Sequence, residues 1–324
     1  MSKVRKLAVI MDPIESIKVH KDSTFAMLLE AQHRGWTINY LEQSDLSIID
    51  GRTFAKWRQL KVVDQKENWY EFIESGFAPL DEISDVLLMR KDPPFDMEYI
   101  YSTYMMDLAE QRGVLMVNKP QSLRDANEKL YTTYFPQCCT PMLVSRSMDD
   151  IREFVAQYND VIVKPLDQMG GASIFRLQPE DQNLSVILEN MTEFGQRNIM
   201  AQKFIPEISE AGDKRILIID GEAVPYALAR VPKAGETRGN LAAGGSGVGV
   251  ELTDRDKWIC QQLKQTLKDK GLIFVGIDVI GDYLTEINVT SPTCIRELDS
   301  LFNLNIAGLL MDAIEKRLSN NENS

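Results

Sequence analysis

The sequence predicts a protein of two structural classes, an α/β region followed by an α+β region. In the first third of the chain, strand and helix signals alternate, which is typical of an open parallel sheet. Further along, strand signals come in pairs joined by short turns, which is typical of antiparallel sheets. A chain of 324 residues is long enough to form two or three such units.

The alternation in the first third runs through two strand–helix–strand sets. The predicted elements are a strand at 7–11, a helix at 24–34 capped by Asp22 or Ser23 and ended by Gly35, a strand at 37–41, a strand at 85–89, a helix at 96–111 and a strand at 114–117. Ligands of open parallel sheets bind at the carboxyl ends of the strands. Those ends carry Asp12, Arg90 to Asp92, and Asn118 with Lys119, so a substrate site is predicted there.

The second pattern begins near residue 122. Its predicted elements are a strand at 161–165, a hairpin of 216–219 and 223–230 around Asp220-Gly221, a helix at 254–270, strands at 272–280 and 283–288 around Gly281-Asp282, and a final helix at 306–318. We therefore expect three parts: an N-terminal substrate domain (1–121), a lid (122–200) and a C-terminal part (201–324). The last part includes a glycine-rich stretch, 231–249, which we expect to be a mobile loop.

The composition of the chain argues against several classes of function. The chain is 44% hydrophobic and 26% charged, as in ordinary globular proteins, and its net charge of −12 argues against a nucleic-acid-coating surface. Phosphate would therefore bind in a local basic pocket. The four cysteines lack CxxC spacing, and no apolar run approaches the ~18 residues of a membrane-spanning helix. We expect a cytoplasmic protein with reduced thiols that binds neither nucleic acid nor membranes.

Several common catalytic motifs are missing. The chain has no GxxxxGK[ST], no GxGxxG after a strand and no GxSxG. The only histidines are His20 and His33, so a histidine triad or a multi-histidine metal site is not expected, and both are interpreted as surface residues.

Lys164 ends an apolar strand and precedes a turn with Gly170 and Gly171. A lysine aimed at phosphate oxygens, beside a glycine turn that brings backbone N–H groups close, can hold ATP without a P-loop. The alternative is a solvated lysine before an ordinary turn.

Three oxygen-bearing side chains indicate a metal site. Glu286 and Asn288 lie on one face of their strand because side chains alternate, and Asp278 on the preceding strand can add a third ligand. Magnesium bound with ATP phosphates fits such oxygens, whereas a half-exposed hairpin meeting water is the alternative.

Arg215 and Arg230 lie on the two strands of the first hairpin and are expected to be close together. Their positive charges need negative partners, which are either the carboxylates of Asp213 and Glu222 or a phosphate.

Taken together, these segments resemble the ATP-grasp superfamily and, within it, the bacterial glutathione synthetase family. The matching segments cover nearly the whole chain: 11–14, 22–32, 89–96, 118–120, 127–130, 164–167, 212–215, 235–245 and 285–293.

The resemblance implies the ATP-grasp fold, with ATP between the lid and the C-terminal domain, and a ligase that joins γ-glutamylcysteine to glycine through an acyl phosphate. It implies Mg²⁺ or Mn²⁺ as the metal and a homotetramer. The implied catalytic residues are Arg215 and Arg230. The implied ATP-binding residues are Lys129, Lys164, Gly170, Gly171, Gln202, Lys203, Phe204, Ile205 and Asp213. The implied metal ligands are Asp278, Glu286 and Asn288. The implied substrate-binding residues are Arg90, Asp92, Arg238, Asn240, Gly244 and Gly245.

Two departures from the family pattern affect the site. Gln168 stands where glycine is usual, and Ser246 and Val248 stand where a basic and an acidic residue are usual. We expect the first to stiffen the phosphate turn, since glutamine adopts positive φ less readily than glycine. Two alternatives remain at this stage: another ATP-grasp ligase, acting on a D-alanine dipeptide or adding glutamate to a protein, and a nucleotide-binding regulator without catalysis.

Overall fold

The computed structural model describes residues 4–168, 173–232 and 246–322. The predictions for Gly170 and Gly171, and for Arg238, Asn240, Gly244 and Gly245, lie outside these residues. Most of the predicted loop 231–249 lies outside them too.

The first sheet contains seven strands. They are β1 (Lys6–Ile10), β2 (Thr37–Leu41), β3 (Leu46–Ile49), β4 (Arg52–Val62), β5 (Tyr70–Pro79), β6 (Val86–Met89) and β7 (Leu115–Val117). Strands β2, β1, β6 and β7 are adjacent and parallel, as predicted for this part of the chain. The sheet is nevertheless mixed, because β4 pairs antiparallel with β2, β3 and β5, an extension that the sequence pattern did not predict.

Four helices accompany this sheet: α1 (Ser23–His33), α2 (Leu80–Ile83), α3 (Met97–Glu110) and α4 (Pro120–Asp125). Asp22 is the N-cap of α1, and its side chain accepts a hydrogen bond from the Phe25 N–H at 2.6 Å. Asp96 caps α3 in the same way, through the Tyr99 N–H at 2.9 Å. Gly35 follows α1 with φ +76°, so the predicted start and end of this helix are confirmed within one residue.

The second sheet is small and antiparallel. Its strands are β8 (Met142–Ser145), β9 (Val161–Pro165), β10 (Phe175–Leu177) and β11 (Ile199–Lys203), in the order β10-β9-β11-β8, and its helices are α5 (Met148–Tyr158) and α6 (Leu184–Met191). Ile151, Val163 and Leu188 belong to a hydrophobic cluster confined to this unit. The second sheet therefore has a core of its own.

The third sheet carries the predicted hairpins. Its strands are β12 (Asp213–Ile219), β13 (Glu222–Val231), β14 (Ser246–Glu251), β15 (Phe274–Ile280) and β16 (Tyr283–Asn288), in the antiparallel order β14-β13-β12-β15-β16. Asp220 and Gly221 form the turn between β12 and β13, both with positive φ (49° and 78°), as favoured in two-residue hairpin turns. The helices are α7 (Asp254–Asp269), α8 (Ile295–Phe302) and α9 (Ile306–Glu322).

Short 3₁₀ helices connect some of these elements, at Ile14–Ser16, Gln43–Asp45, Leu130–Tyr134, Pro136–Cys138 and Pro206–Ser209. Two larger hydrophobic clusters each contain buried residues of both the first and the third sheet. These two sheets therefore share packing with each other. Within the described part of the chain, none of the helices is both long and apolar enough to cross a membrane.

Candidate active site

A cleft of about 580 Å³ opens where residues of all three sheets meet. This volume is within the range of small-molecule sites. Every residue that the family resemblance implied for the site and that the structure describes lines this cleft: Arg90, Asp92, Lys129, Lys164, Gln202, Lys203, Phe204, Ile205, Asp213, Arg215, Arg230, Asp278, Glu286 and Asn288. Residues predicted from separate segments are thus brought together in space.

Asp278 holds the two arginines of the hairpin together. Arg215 lies opposite Asp278 in the β12–β15 register and donates to it from Nε at 2.5 Å and from Nη2 at 2.9 Å. Arg230 reaches Asp278 Oδ2 from Nη2 at 3.0 Å. All three side chains are buried. Burial alone would raise the pKa of Asp278, but the two guanidinium groups hold it well below its usual range.

Asp213 is the second acidic partner of Arg230, and its Oδ2 accepts a hydrogen bond from Arg230 Nη2 at 2.5 Å. Burial raises the pKa of Asp213 to about 7 against the opposing charge of Arg230, and the nearby Asp278 carboxylate adds to the rise. The preceding residue, Gly212, has φ +74°, and a Cβ there would lie 2.6 Å from the Arg230 carbonyl oxygen. Only glycine fits this close approach.

Of the two carboxylates considered as partners of the arginines, Asp213 contacts Arg230, whereas Glu222 contacts neither arginine. Glu222 lies at the turn end of the hairpin, where it pairs with Lys264 at 2.7 Å and Lys268 at 3.2 Å. Arg215 and Arg230 lie at the open end, so the strand length separates them from Glu222. Asp278, predicted as a metal ligand, provides the compensation instead.

Glu286 and Asn288 lie beside Asp278 on β16. Glu286 is directly opposite Asp278 in the β15–β16 register, and Asn288 Nδ2 donates to Asp278 Oδ2 at 3.3 Å. The sequence therefore predicted the convergence of these three side chains correctly. Their carboxylate and amide oxygens are the ligand types that Mg²⁺ and Mn²⁺ prefer. The donor set fits a divalent cation.

Lys129 lies across the cleft and is surrounded by acceptors. Its Nζ contacts the Glu128 carboxylate, Glu286 Oε1 at 3.5 Å and the Gln168 carbonyl oxygen at 2.7 Å. Burial disfavours its charge, but Glu286 and Glu128 more than offset this and raise the pKa of Lys129. The ammonium group is held in its charged form.

Lys164 is also buried rather than solvated, which removes the surface interpretation of this residue. Its Nζ donates to the Thr285 carbonyl oxygen at 3.3 Å. Burial lowers the pKa of Lys164, although Glu286 opposes this. A buried lysine without a carboxylate in contact, among the described residues, is suited to receive an anion from the cleft.

Glu128 is a cleft residue that was not predicted as part of the site. It contacts Lys129, and burial together with the nearby Glu286 charge raises its pKa. Glu128 stands next to Lys129 in the family-matching segment 127–130, and this position is the feature of the sequence that could have identified it as a site residue.

The segment from Gln202 to Ile205 forms another wall. Gln202 and Lys203 pair with Ile162 and Val161 of β9, and the Phe204 N–H donates to the Asp160 carbonyl oxygen at 2.9 Å. Gln202, Phe204 and Ile205 are buried. The end of β11 and the two residues after it thus line the cleft, with Phe204 and Ile205 as apolar side chains.

An arginine stacks on this wall. The Arg176 guanidinium lies 3.9 Å from the centroid of the Phe204 ring. Arg176 also donates to both carboxylate oxygens of Asp160. The hydrogen bonds to Asp160 hold the guanidinium group in place, and the guanidinium group in turn fixes the orientation of the Phe204 ring.

Arg90 and Asp92 follow β6, at the predicted carboxyl end of a parallel strand. Arg90 is buried and donates to Thr24 Oγ1 at 3.0 Å and to the Pro292 carbonyl oxygen at 2.9 Å. Asp92 accepts a hydrogen bond from Ser291 Oγ. Asn118, at the end of β7, instead binds backbone groups of Phe274 and Val289 and has a structural role.

The departure at Gln168 does not involve positive φ. Its carbonyl oxygen accepts from Lys129, and the described residue of this turn with positive φ is Ser173 at 56°. Val248 is half exposed on β14, opposite Ala229. The reason given for a stiffer turn, a positive φ at Gln168, is therefore not found, and the stiffening itself stays a prediction.

Comparisons with known proteins place these features in context. Residues 6–124 match the family description "Prokaryotic glutathione synthetase, N-terminal domain", and residues 128–303 match "Prokaryotic glutathione synthetase, ATP-grasp domain". A protein of Pseudomonas syringae pv. tomato named glutathione synthetase is 61% identical over 313 residues, covering 97% of this chain and 98% of that protein. Proteins of the same name from Pseudomonas putida and Shewanella oneidensis are 60% and 57% identical, with coverage of 97% of this chain in both cases and of 98% and 99% of those proteins.

Solved structures show the same fold at low sequence identity. The D-cycloserine synthetase DcsG superposes with a TM-score of 0.67 at 13% identity, covering 96% of this chain and 99% of that one. The ATP-grasp ligase PsnB, complexed with a minimal precursor, Mg and ADP, gives 0.62 at 16% identity, covering 97% and 98%.

Proposed function

The chain belongs to the prokaryotic glutathione synthetase family, and we propose that the cleft joins γ-glutamylcysteine to glycine with the residues described above. The protein is an ATP-dependent carboxylate–amine ligase. The reaction has two steps. The cysteinyl carboxylate attacks the γ-phosphorus of ATP, so that ADP leaves and an acyl phosphate forms. The glycine amine then attacks the acyl carbon, and inorganic phosphate leaves as the amide bond forms.

The observation that carries this proposal is the packing of Arg215 and Arg230 on Asp278 beside Glu286 and Asn288. Guanidinium groups fixed in a buried site stabilise charge that spreads over a transferring phosphoryl group, because they need no reorganisation during the step. Lys129 and Lys164 line the same cleft. Their ammonium groups are compact positive charges that suit phosphate oxygens. No enzyme nucleophile is needed.

A divalent metal fits the carboxylate and amide oxygens of Asp278, Glu286 and Asn288. Mg²⁺ or Mn²⁺, when bound with ATP, neutralises charge on the phosphate oxygens. Both oxygens of Asp278 already accept hydrogen bonds from arginines, whereas Glu286 is partly exposed to the cleft. Glu286 is therefore the main acidic ligand in this proposal.

ATP is proposed to lie between the second and third sheets. The Gln202–Ile205 wall supports the base, since its four residues line the cleft and Phe204 is held by Arg176. From membership of the family we also assign Gly170 and Gly171 to the phosphates of ATP. Asp213 is assigned to ATP as well.

The substrate side is proposed to include Arg90 and Asp92, together with Arg238, Asn240, Gly244 and Gly245. Arg90 is buried with only neutral hydrogen-bond partners among the described residues, so a substrate carboxylate would supply its missing counter-charge. By the same family membership we propose the domain division at 121 and 200, a homotetramer, and a cytoplasmic location without nucleic-acid or membrane partners.

The reaction is tested by measuring phosphate release from magnesium-ATP with γ-glutamylcysteine and glycine together and with each alone. We expect full release only when both are present. Release with D-alanine or with a glutamate-accepting protein, and not with γ-glutamylcysteine, would indicate another ATP-grasp ligase. Nucleotide binding without release under all of these conditions would indicate a regulator.

A further inference from the structure

Gly276 is a buried glycine in β15, two residues before Asp278. Because side chains alternate along a strand, these two positions face the same side of the sheet. In the strand register, Gly276 lies between Leu217 of β12 and Asn288 of β16. A residue without a side chain thus stands in the middle of the row that carries Asp278, and it has no chemistry of its own to offer.

The space above Gly276 is filled by two neighbouring side chains. A Cβ added at this position would lie 3.0 Å from Arg215 Cδ, 3.4 Å from Arg215 Nε and 2.8 Å from Pro292 Cβ. The φ angle of Gly276 is not among the positive ones of the described glycines, so its backbone could accept an alanine. The two neighbours, and not the backbone conformation, exclude a side chain here.

The stem of Arg215 uses this space on its way to Asp278. The guanidinium group donates from Nε to Oδ1 at 2.5 Å and from Nη2 to Oδ2 at 2.9 Å. A methyl group at position 276 would force Arg215 Cδ back from 3.0 Å to about 3.4 Å, where ordinary contact begins. Two parallel hydrogen bonds require the planar group to stay aligned with the carboxylate, so a displaced stem cannot keep both.

Pro292 is the less yielding of the two neighbours. Its ring fixes its φ angle, and its carbonyl oxygen accepts a hydrogen bond from Arg90 Nη2 at 2.9 Å. Arg215, in contrast, has an unbranched stem with several rotatable bonds. An added side chain at position 276 would therefore move Arg215.

We propose that Gly276 is a positioning residue for phosphoryl transfer. With no side chain, it leaves the gap through which Arg215 crosses β15 and reaches Asp278 while Pro292 closes over the same spot. Gly276 touches neither substrate nor metal and acts only through Arg215. The inference rests on the proposed function, which supplies the role of Arg215.

The test compares Gly276→Ala with the wild-type protein in steady-state phosphate release. A misplacement of about 1 Å costs on the order of 100-fold in rate and the displacement here is smaller, so kcat should fall about 10- to 100-fold. The KM for γ-glutamylcysteine should be unchanged, because Pro292 keeps its bond to Arg90. A raised KM with normal kcat would show that Pro292 yields instead, and would overturn the proposal.

Gly76→Ala is the matched control. Gly76 also lies in a strand, β5, and its added Cβ would lie 2.9 Å from Trp57 Cζ2. Neither Gly76 nor Trp57 lines the cleft. Crowding should lower the denaturant midpoint of both variants, whereas only Gly276→Ala should lose kcat. Equal kcat values in the two variants would contradict the positioning role.

A double-mutant cycle shows whether Gly276 acts through Arg215. In the Arg215→Met background the guanidinium group is already absent, so adding Gly276→Ala should change kcat by less than about twofold. A further loss as large as the one in the wild-type background would mean that Gly276 acts on another group.

A second variant covers the case in which Gly276→Ala does not fold. Pro292→Gly removes the atom closest to the added methyl group, so the double variant Gly276→Ala/Pro292→Gly is less crowded. Compared with Pro292→Gly alone, its kcat should still fall about 10- to 100-fold, because the contact with Arg215 remains. Equal kcat values would overturn the proposal. Failure of the proposed function is distinct, since the wild-type protein itself would then release no phosphate with γ-glutamylcysteine and glycine.

Discussion

Arg215 binds Asp278 through two parallel hydrogen bonds, from Nε to Oδ1 at 2.5 Å and from Nη2 to Oδ2 at 2.9 Å. The two residues are 63 positions apart in the chain and face each other across β12 and β15. Both are buried, so the pair fixes the guanidinium group at the centre of the cleft.

The first prediction concerns this pair. Arg215→Met should lower kcat about 100- to 1000-fold, because a fixed charge that stabilises the transferring phosphoryl group is removed. It should also lower the free energy of unfolding by about 3–5 kcal/mol, since Asp278 keeps only Arg230 as a charged partner. Denaturant unfolding and steady-state kinetics measure the two effects.

The matched control is Arg317→Met. Arg317 pairs with Asp220 where both side chains are partly exposed, so its loss should cost about 0–1 kcal/mol and leave kcat unchanged. Similar losses of activity in both variants would contradict the role given to Arg215.

The second prediction concerns the metal. Glu286→Gln should keep the fold but lower kcat about 100-fold or more and shift the magnesium dependence to higher concentrations, because the main acidic ligand is lost. Magnesium titrations of phosphate release provide the measurement. Glu222→Gln, which removes an exposed carboxylate paired with Lys264 and Lys268, should behave as wild type. Unaltered turnover of Glu286→Gln at low magnesium would refute the assignment.

The third prediction concerns Lys164. Lys164→Met keeps most of the apolar stem but removes the buried charge, and ATP binding should weaken by about 1.5–3 kcal/mol, the range for a hydrogen bond to a charged group. Calorimetry with ATP in the absence of the dipeptide measures this loss. Lys257→Met, at an exposed lysine, is the control. Equal ATP affinity of both variants would exclude a phosphate contact.

The fourth prediction uses two glycines with nearly the same φ. Gly35→Ala and Gly212→Ala both place alanine at positive φ (76° and 74°), which should cost about 1–2 kcal/mol in each case. Gly35 has no atom within 4 Å of its added Cβ, whereas the Cβ at Gly212 would lie 2.6 Å from the Arg230 carbonyl oxygen. Only Gly212→Ala should therefore lose additional stability and activity. Equal unfolding free energies with full activity in both variants would show that the contact does not position Arg230.

The sequence predicted the elements whose signals are local. The cap at Asp22, the stop at Gly35 and the Asp220-Gly221 turn each depend on a few neighbouring residues, and all three are found. Strand alternation also predicted that Glu286 and Asn288 share a face beside Asp278.

What the sequence did not predict depends on contacts between distant segments. The antiparallel strand β5 lies outermost, paired with β4, and its polar and apolar residues both face solvent, so its periodic signal is weak. The compensation of Arg215 by Asp278 depends on the register of two strands far apart in the chain. Local charge balance suggested Asp213 and Glu222, but Glu222 lies at the turn end of the hairpin and only Asp213 lies beside Arg230.

The central claim, that the dipeptide is activated as an acyl phosphate, is tested most directly by oxygen transfer. γ-Glutamylcysteine labelled with ¹⁸O in its cysteinyl carboxylate is converted with glycine and magnesium-ATP, and the released phosphate is analysed by mass spectrometry. Because the carboxylate oxygen that attacks phosphorus stays with the phosphoryl group when glycine displaces it, each phosphate should carry one ¹⁸O. Unlabelled phosphate, released together with the ligated product, would contradict the mechanism.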